Sequence, residues 1–177
     1  GFDDAVRRAS EDTDQWRWAR TLAGTLAAVT ATAIAGGIAT TPGVSWFRRL
    51  TKPPWQPPNA AFGPVWTLLY ADIAVCTALT LADAADVGHQ DEVRRLRISM
   101  LVNLVLNAGW SVAFWRVRRL PLAALWAGAL AASSVELTRR VGHRSRGRST
   151  ILAPYPAWCA FATVLSADLA RRNRRRS

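Results

Sequence analysis

Several residue types on which common protein chemistries depend are scarce in this chain of 177 residues. Its two cysteines, Cys76 and Cys159, lie in long apolar segments, so a disulfide framework is not expected. The two histidines, His89 and His143, stand in polar stretches without the spacing of metal ligands. No paired carboxylates share a helical face, and no glycine-rich loop of the phosphate-binding kind is present. The sequence therefore offers no hydrolytic or redox constellation.

Charge is missing from five long stretches, which range from 16 residues (120–135) to 27 residues (21–47). A bilayer core of roughly 30 Å needs about 20 apolar residues in a helix, so these stretches predict five transmembrane spans. The second span reaches that length only by extending past Asp72, and the fourth by extending past Glu136. The alternative, a soluble α-helical bundle, would have almost no polar surface. We predict an all-α integral membrane bundle with spans at about residues 18–39, 62–82, 98–115, 120–138 and 150–170.

Basic residues outnumber acidic ones by 23 to 12, a balance that at first suggests nucleic acid as a partner. The arginines, however, come in pairs and triplets where predicted spans end, and there they would anchor helices at lipid headgroups. No DNA-reading motif accompanies them, so nucleic acid is not an expected partner. A five-span chain places 12 Lys and Arg residues on one side of the membrane and 11 on the other. The positive-inside rule thus leaves the orientation undetermined.

The chain outside the spans divides into two tails and one unusual loop. Residues 1–17 carry five acids and predict a polar N-terminal tail, disordered or lying on a surface. The membrane domain is predicted to cover residues 18–170, and residues 171–177 form a basic C-terminal tail.

The loop between spans one and two, residues 40–61, is rich in proline and tryptophan. Proline fixes φ and disfavours helix for the residue before it, so we predict a stiff, non-helical loop. A fully solvated loop would have little use for Trp46, Phe47 and Trp55, so we expect this one to fold back over the bundle. Pro64 is predicted to stand in the first turn of span two, where its missing N–H costs nothing.

Three predicted spans carry polar and aromatic residues on a single helical face. Because polar groups are costly in hydrocarbon unless paired or facing a cavity, these stripes should point into the bundle. Two interpretations remain open: hydrogen bonding and aromatic packing between helices, or an apolar, aromatic pocket for a flat hydrophobic ligand. The stripes are Trp66, Tyr70 and Thr77 in span two, Asn103, Asn107, Trp110 and Phe114 in span three, and Tyr155, Trp158, Ala162 and Ser166 in span five.

Four segments of the chain read as recognisable motifs. Residues 46–58 are WFRRLTKPPWQPP and residues 62–70 are FGPVWTLLY, similar to the patterns W-Y-x-x-L-x-K-P-x-W-x-P-P and F-G-P-V-W-T-x-L-Y. Residues 106–111, LNAGWS, resemble L-N-x-x-W-S, and residues 154–163, PYPAWCAFAT, resemble P-Y-x-x-W-x-x-F-A-T. In this order they resemble the signature of the translocator protein family (TspO/MBR, tryptophan-rich sensory proteins, peripheral-type benzodiazepine receptors).

The resemblance implies a five-helix fold, commonly a homodimer, whose first loop acts as a lid over a ligand. The implied ligands are porphyrins, haem and related tetrapyrroles, sterols, and benzodiazepine-type drugs, with no required cofactor and no metal. Some bacterial members are described as degrading protoporphyrin in light, and the tryptophans that match Trp66 and Trp158 are implicated. The pocket, carried over residue by residue, would be lined by Trp55, Trp66, Tyr70, Asn103, Asn107, Trp110, Tyr155, Trp158 and Ala162.

The chain departs from the family pattern at three points. Ser166 stands where the family usually has Asn. No Tyr follows Val164 in the place that the cholesterol-recognition pattern requires, which weakens the case for sterol. Asp72 lies mid-span, about 120° around the helix from Trp66, so we expect it to face a neighbouring helix or a dimer partner.

Three classes of function stay open. The first is a receptor or sensor that binds tetrapyrroles and could promote their photo-oxidative degradation, the one enzymatic activity considered. The second is a transporter of hydrophobic ligands, which should show broken helices at the midplane; only Pro154 and Pro156 hint at one. The third is a structural membrane-assembly protein. In each case we expect a multi-pass integral membrane protein, located in the bacterial cell membrane.

Overall fold

The computed structural model describes residues 1–40 and 44–174, and every regular element within these ranges is helical. Residues 41–43 of the proline-rich loop, with Pro42, and residues 175–177 of the basic tail lie outside the described residues. Five helical paths are long and apolar enough to cross a membrane, so the predicted all-α five-span fold is confirmed. The elements are α1 (Phe2–Thr40), α2 (Val44–Arg48), α3 (Asn59–Asp86), α4 (Gln90–Ser111) with a π-helical continuation (Val112–Val117), α5 (Leu120–Arg144), α6 (Arg146–Leu152) and α7 (Pro154–Arg172).

Consecutive spans run antiparallel, so α1, α4 and α7 all end on the side of the bundle where α2 lies. We call this side, which also holds the connection from the π-helical segment to α5, the lid end. Helix α5 packs on α4 and α7, and α1 packs on α3 and α4. The main core lies between these helices and contains side chains with almost no exposed surface, among them Ile73, Leu104 and Leu137.

Helix α1 is longer than the predicted first span. The helix continues through residues 2–17, where composition predicted a disordered or surface-lying tail. Acidic residues in the first turn favour a helix start, and Arg7 pairs with Asp4 one turn away at 3.1 Å. With 39 residues the helix is about 58 Å long, twice the thickness of a bilayer core. Its N-terminal half therefore projects beyond the part of the bundle that lipid surrounds.

The connection between α3 and α4 is much shorter than the polar loop that charge predicted. The helices continue through Asp83 and Glu92, and the turn between them is Val87–His89, with Gly88 at φ 76°. Arg144 binds Glu92 through two hydrogen bonds of 2.8 and 2.6 Å. Arg148 likewise pairs with Asp83 at the end of α3. These two ion pairs hold the α3–α4 turn against the end of α5 and the start of α6, and they stabilise the charged ends of the helices beyond the apolar core.

The prolines start or interrupt helices at positions that differ in part from the predicted ones. Helix α3 begins at Asn59, directly after Pro58, so Pro64 lies in its second turn and not in its first. The proline-rich loop is not wholly non-helical, because it contains the short helix α2. The last span is interrupted at Ala153, since Pro154 has no N–H to continue the hydrogen-bond ladder. This break lies near the end of the bundle opposite the lid end.

The loop between α1 and α3 folds back onto the lid end, as expected. Phe47 and Leu50 are buried, and they pack with Phe114 and Leu120 in a second hydrophobic cluster. The ring centroid of Phe47 lies 5.9 Å from that of Phe114 and 5.2 Å from that of Trp115. Helix α2 thereby forms a roof over the space between the spans.

Candidate functional site

A cavity of about 580 Å³ lies under α2, between α1, α3, α4 and α7. Its upper wall is the apolar face of α2, and its sides are the upper parts of the four spans. Most of its lining is aromatic or aliphatic, which is the composition typical of small-molecule sites. It is lined by Ala33, Gly36, Gly37, Thr40, Val44, Phe47, Arg48, Phe62, Gly63, Trp66, Thr67, Tyr70, Asn107, Trp110, Ser111, Phe114, Trp115, Trp158, Phe161, Ala162, Leu165 and Ser166.

Three tryptophans form the aromatic wall of this cavity. The ring centroid of Trp66 lies 6.3 Å from that of Trp110 and 6.4 Å from that of Trp158, whose plane is turned by 89°. Trp110 in turn stacks on Phe114 at 5.1 Å. Aromatic faces and edges arranged in this way offer large contact areas with few rotatable bonds, which suits a flat, rigid and apolar ligand.

Two of these indoles have an N–H group that finds no acceptor among the described residues. Within residues 1–40 and 44–174, Nε1 of Trp110 and Nε1 of Trp158 have no hydrogen-bond acceptor, although both atoms are buried. Buried donors are normally paired, and an unpaired one carries a desolvation cost. A ligand oxygen or nitrogen in the cavity could accept from either N–H group and remove that cost.

A chain of hydrogen bonds lies beneath the cavity and links four spans. Tyr70 Oη donates to Asn107 Oδ1 (2.9 Å), and Asn107 Nδ2 donates to Tyr155 Oη (3.2 Å). Tyr155 Oη donates to Asn103 Oδ1 (2.7 Å), and Asn103 Nδ2 donates to Ser134 Oγ (3.0 Å). Each polar group has a partner, so the network costs little in hydrocarbon and fixes the relative rotation of α3, α4, α5 and α7.

The predicted stripes divide by depth: some of their residues line the apolar, aromatic cavity, and others form hydrogen bonds between helices. Six of the nine residues predicted to bind ligand line the cavity, while Asn103 and Tyr155 lie deeper, in the hydrogen-bond network. Trp55 is 44% exposed and does not line the cavity; its ring packs edge-on against Phe161, which does, at 5.8 Å. Contact with a ligand stays a prediction for all nine. The six in the lining are Trp66, Tyr70, Asn107, Trp110, Trp158 and Ala162.

Comparison with known proteins places this architecture in a family. The model of the TspO/MBR family matches residues 24–172. The chain belongs to the TspO/MBR family. It is 32% identical over 155 residues to "Tryptophan-rich protein TspO" of Chlorobaculum tepidum, covering 86% of this chain and 96% of that protein. It is 33% identical over 146 residues to the Archaeoglobus fulgidus protein of the same name (82% and 92%), and 31% identical over 136 residues to human "Translocator protein" (74% and 76%). A multi-pass membrane protein of this family is therefore established.

The family motif L-N-x-x-W-S contains a glycine in this chain, and the structure explains why. A Cβ atom placed on Gly109 would lie 2.3 Å from Cζ2 of Trp126, because an edge of this indole of α5 lies against the backbone of α4. Trp126 Nε1 also donates to the carbonyl of Leu106 at 2.7 Å. This close contact positions α4, which supplies Asn107 and Trp110 to the cavity.

Two residues at the lid end had no signal in the sequence. Asn173 caps α7 and is 3% exposed; its amide accepts from the Thr51 N–H and donates to the Thr51 carbonyl, both at 2.9 Å. The loop between α1 and α3, which we call the lid loop, is thereby fastened to the last turn of α7. Arg48 lines the cavity, although it stands at an x position of the family motif. Composition marked neither, since Asn173 reads as part of the basic C-terminal tail and Arg48 as a charged residue of a surface loop.

Two further features lie away from this cavity. Asp72 does not line it, and its carboxylate accepts from Cys76 Sγ at 3.2 Å, one turn along α3.

A second concavity of about 690 Å³ lies at the opposite end of the bundle, around the α3–α4 turn and the end of α5. Because its lining is largely charged and polar, we assign the candidate site to the aromatic cavity at the lid end. Among the described residues, no three His, Cys, Asp or Glu side chains are close enough to hold a metal ion.

Proposed function

We propose that this protein is a membrane receptor or sensor that binds porphyrins and related tetrapyrroles in the cavity at the lid end. The observation that carries the proposal is the wall formed by Trp66, Trp110 and Trp158 around a space of about 580 Å³. A tetrapyrrole is flat, rigid and largely apolar, and it has polar atoms only at its centre and its edge. Such a molecule can stack on these indoles while its edge accepts from the unpaired N–H groups of Trp110 and Trp158.

The shape of the spans supports binding at a fixed site more than passage through the membrane. Transporters have discontinuous helices near the bilayer midplane. Here the π-helical segment lies at the lid end of its span, and the break at Ala153 lies near the opposite end of the bundle. The deep polar network of Asn103, Asn107 and Tyr155 is buried and joins the spans between these points.

Light-dependent breakdown of the bound porphyrin forms a second part of the proposal. An excited porphyrin passes its energy to dioxygen, and the oxidant so formed attacks the porphyrin or a nearby indole. Trp66 on α3 and Trp158 on α7 line the cavity and have oxidisable side chains. Illumination of the complex should bleach the porphyrin absorbance faster than illumination of porphyrin in empty micelles, and Trp158→Phe should change that rate. Equal bleaching in all three samples would contradict this part.

The binding proposal is tested by titrating the detergent-purified full chain with protoporphyrin and following its visible spectrum. Occupation of one apolar cavity should shift the Soret band and saturate near one porphyrin per chain. Tryptophan fluorescence should be quenched with the same midpoint. A spectrum that changes linearly with porphyrin, as in protein-free micelles, would contradict the proposal and leave a structural role.

A further inference from the structure

One side chain in the lining of the cavity differs from all the others in charge. Among the described residues that line it, Arg48 is the only one with an ionisable group that is charged at neutral pH. It is the last residue of α2, and its side chain is exposed, so it stands where the roof of the cavity meets solvent or lipid headgroups. A cation at this place can reach the edge of a ligand that lies between α1, α3, α4 and α7.

The neighbouring cations have contacts of their own, whereas the guanidinium of Arg48 has no hydrogen-bond or ion-pair partner among the described residues. Lys52 Nζ lies 4.7 Å above the ring of Phe47, and Arg116 donates to the carbonyl of Ile38 at 3.1 Å. Within residues 1–40 and 44–174, no hydrogen bond or ion pair engages the side chain of Arg48. Its five N–H donors are therefore available to a bound molecule.

Acidic residues do not neutralise this end of the molecule. Asp168 is the one carboxylate of the described residues near the lid end, and it already pairs with Arg171 at 2.6 Å and Arg172 at 2.8 Å. The other acids, apart from Asp72, lie in the first 14 residues or towards the opposite end of the bundle. The mouth of the cavity therefore has a positive potential, which attracts anions and disfavours cationic ligands.

We propose that Arg48 binds a carboxylate on the ligand and so makes the cavity selective for acidic over neutral ligands. The guanidinium presents a planar fork that matches the two oxygens of a carboxylate, and such charge-assisted bonds are stronger than neutral ones. The ligand's flat body lies against the tryptophans, and its acidic edge reaches the mouth under α2. This inference rests on the proposed function and adds the chemical class of the ligand's edge.

The test compares two probes of the same shape, protoporphyrin, which has two carboxylates, and its dimethyl ester, which has none. Dissociation constants are measured by Soret titration of the full chain in a neutral detergent. We expect Arg48→Gln to weaken protoporphyrin binding roughly tenfold, the loss of about one hydrogen-bonded charge contact. The dimethyl ester should bind wild type and Arg48→Gln alike, and Arg48→Lys should lie between wild type and Arg48→Gln for the acid. Arg119→Gln is the control, because it removes the same charge from the lid end outside the cavity.

Three results would overturn the inference. Unchanged protoporphyrin affinity in Arg48→Gln would show that the guanidinium makes no contact. Equal losses for acid and ester would show that Arg48 supports the lid loop instead. Equal losses in Arg48→Gln and Arg119→Gln would assign the effect to the general field. In each of these cases wild type still binds a tetrapyrrole, so the proposed function stands; wild type that binds neither probe would refute both.

Discussion

Replacing Asn173 by alanine should open the lid loop without unfolding the bundle. The amide of Asn173 forms three hydrogen bonds of 2.9 Å, two with the backbone of Thr51 and one with the carbonyl of Leu169. The two bonds to Thr51 fasten the loop to α7. A neutral hydrogen bond contributes about 1 kcal/mol net, so the closed state of the loop should lose about 2 kcal/mol of stability relative to the open state. The loss is smaller if water forms hydrogen bonds with the exposed Thr51 in place of Asn173.

The measurable consequence is faster release of ligand. A loss of 1–2 kcal/mol corresponds to roughly 5- to 30-fold in the equilibrium between closed and open loop, and affinity changes of this kind are mostly changes in dissociation rate. Stopped-flow transfer of protoporphyrin from the protein to excess lipid vesicles would measure that rate. The melting temperature of the ligand-free protein should change little, because the core between α3, α4, α5 and α7 is untouched.

Asn173→Asp provides the matched control. Its carboxylate still accepts from the Thr51 N–H, but its second oxygen would face the Thr51 and Leu169 carbonyls at a buried position, so its release rate should be at least as high as that of Asn173→Ala. Wild-type release from Asn173→Ala together with a lower melting temperature would refute the reasoning. In that case the residue would serve only as the cap of α7.

Three further variants test other parts of the structure. Gly109→Ala should lower the melting temperature, since the added Cβ would lie 2.3 Å from the Trp126 ring and overpacking costs about 1–3 kcal/mol. An unchanged melting temperature would show that the helices are not in such close contact. Trp158→Phe should weaken porphyrin binding, measured by fluorescence quenching, more than Trp126→Phe does, because Trp126 packs against α4 outside the cavity; equal losses would indicate general damage to the fold. Trp55→Ala should raise the porphyrin release rate, because it removes the contact with Phe161 of the cavity wall, and it should leave the melting temperature unchanged. A lower melting temperature with unchanged release would show that Trp55 only stabilises the fold.

The five spans could be predicted because the bilayer sets their length. A stretch must be long enough to cross the hydrocarbon, and each of the five was, once the second was extended past Asp72 and the fourth past Glu136. Their ends could not be predicted in the same way, because charge marks where hydrocarbon ends and not where the helix ends. Asp83 and Glu92 are charged yet helical, because Glu92 pairs with Arg144, 52 positions away, and Asp83 pairs with Arg148, 65 positions away.

The candidate site was predictable in part for a related reason. Helical periodicity identifies a face, and it placed Trp66 and Asn107 on inward faces, where the structure has them. Periodicity says nothing of depth along that face, so it could not separate Asn103, in the network, from Asn107, at the floor of the cavity. It also says nothing of which distant residue meets another, and the contact of Asn173 with Thr51, 122 residues apart, had no signal.

The most direct measurement is porphyrin binding to a variant in which the cavity is filled. Ala162 lines the cavity, and Ala160 is exposed on the same helix, so Ala162→Phe and Ala160→Phe add the same group inside and outside. Soret titration should show saturable binding to wild type and Ala160→Phe, and none to Ala162→Phe, with all three proteins melting cooperatively. Wild-type binding by Ala162→Phe would place the porphyrin elsewhere and contradict the assignment of this cavity.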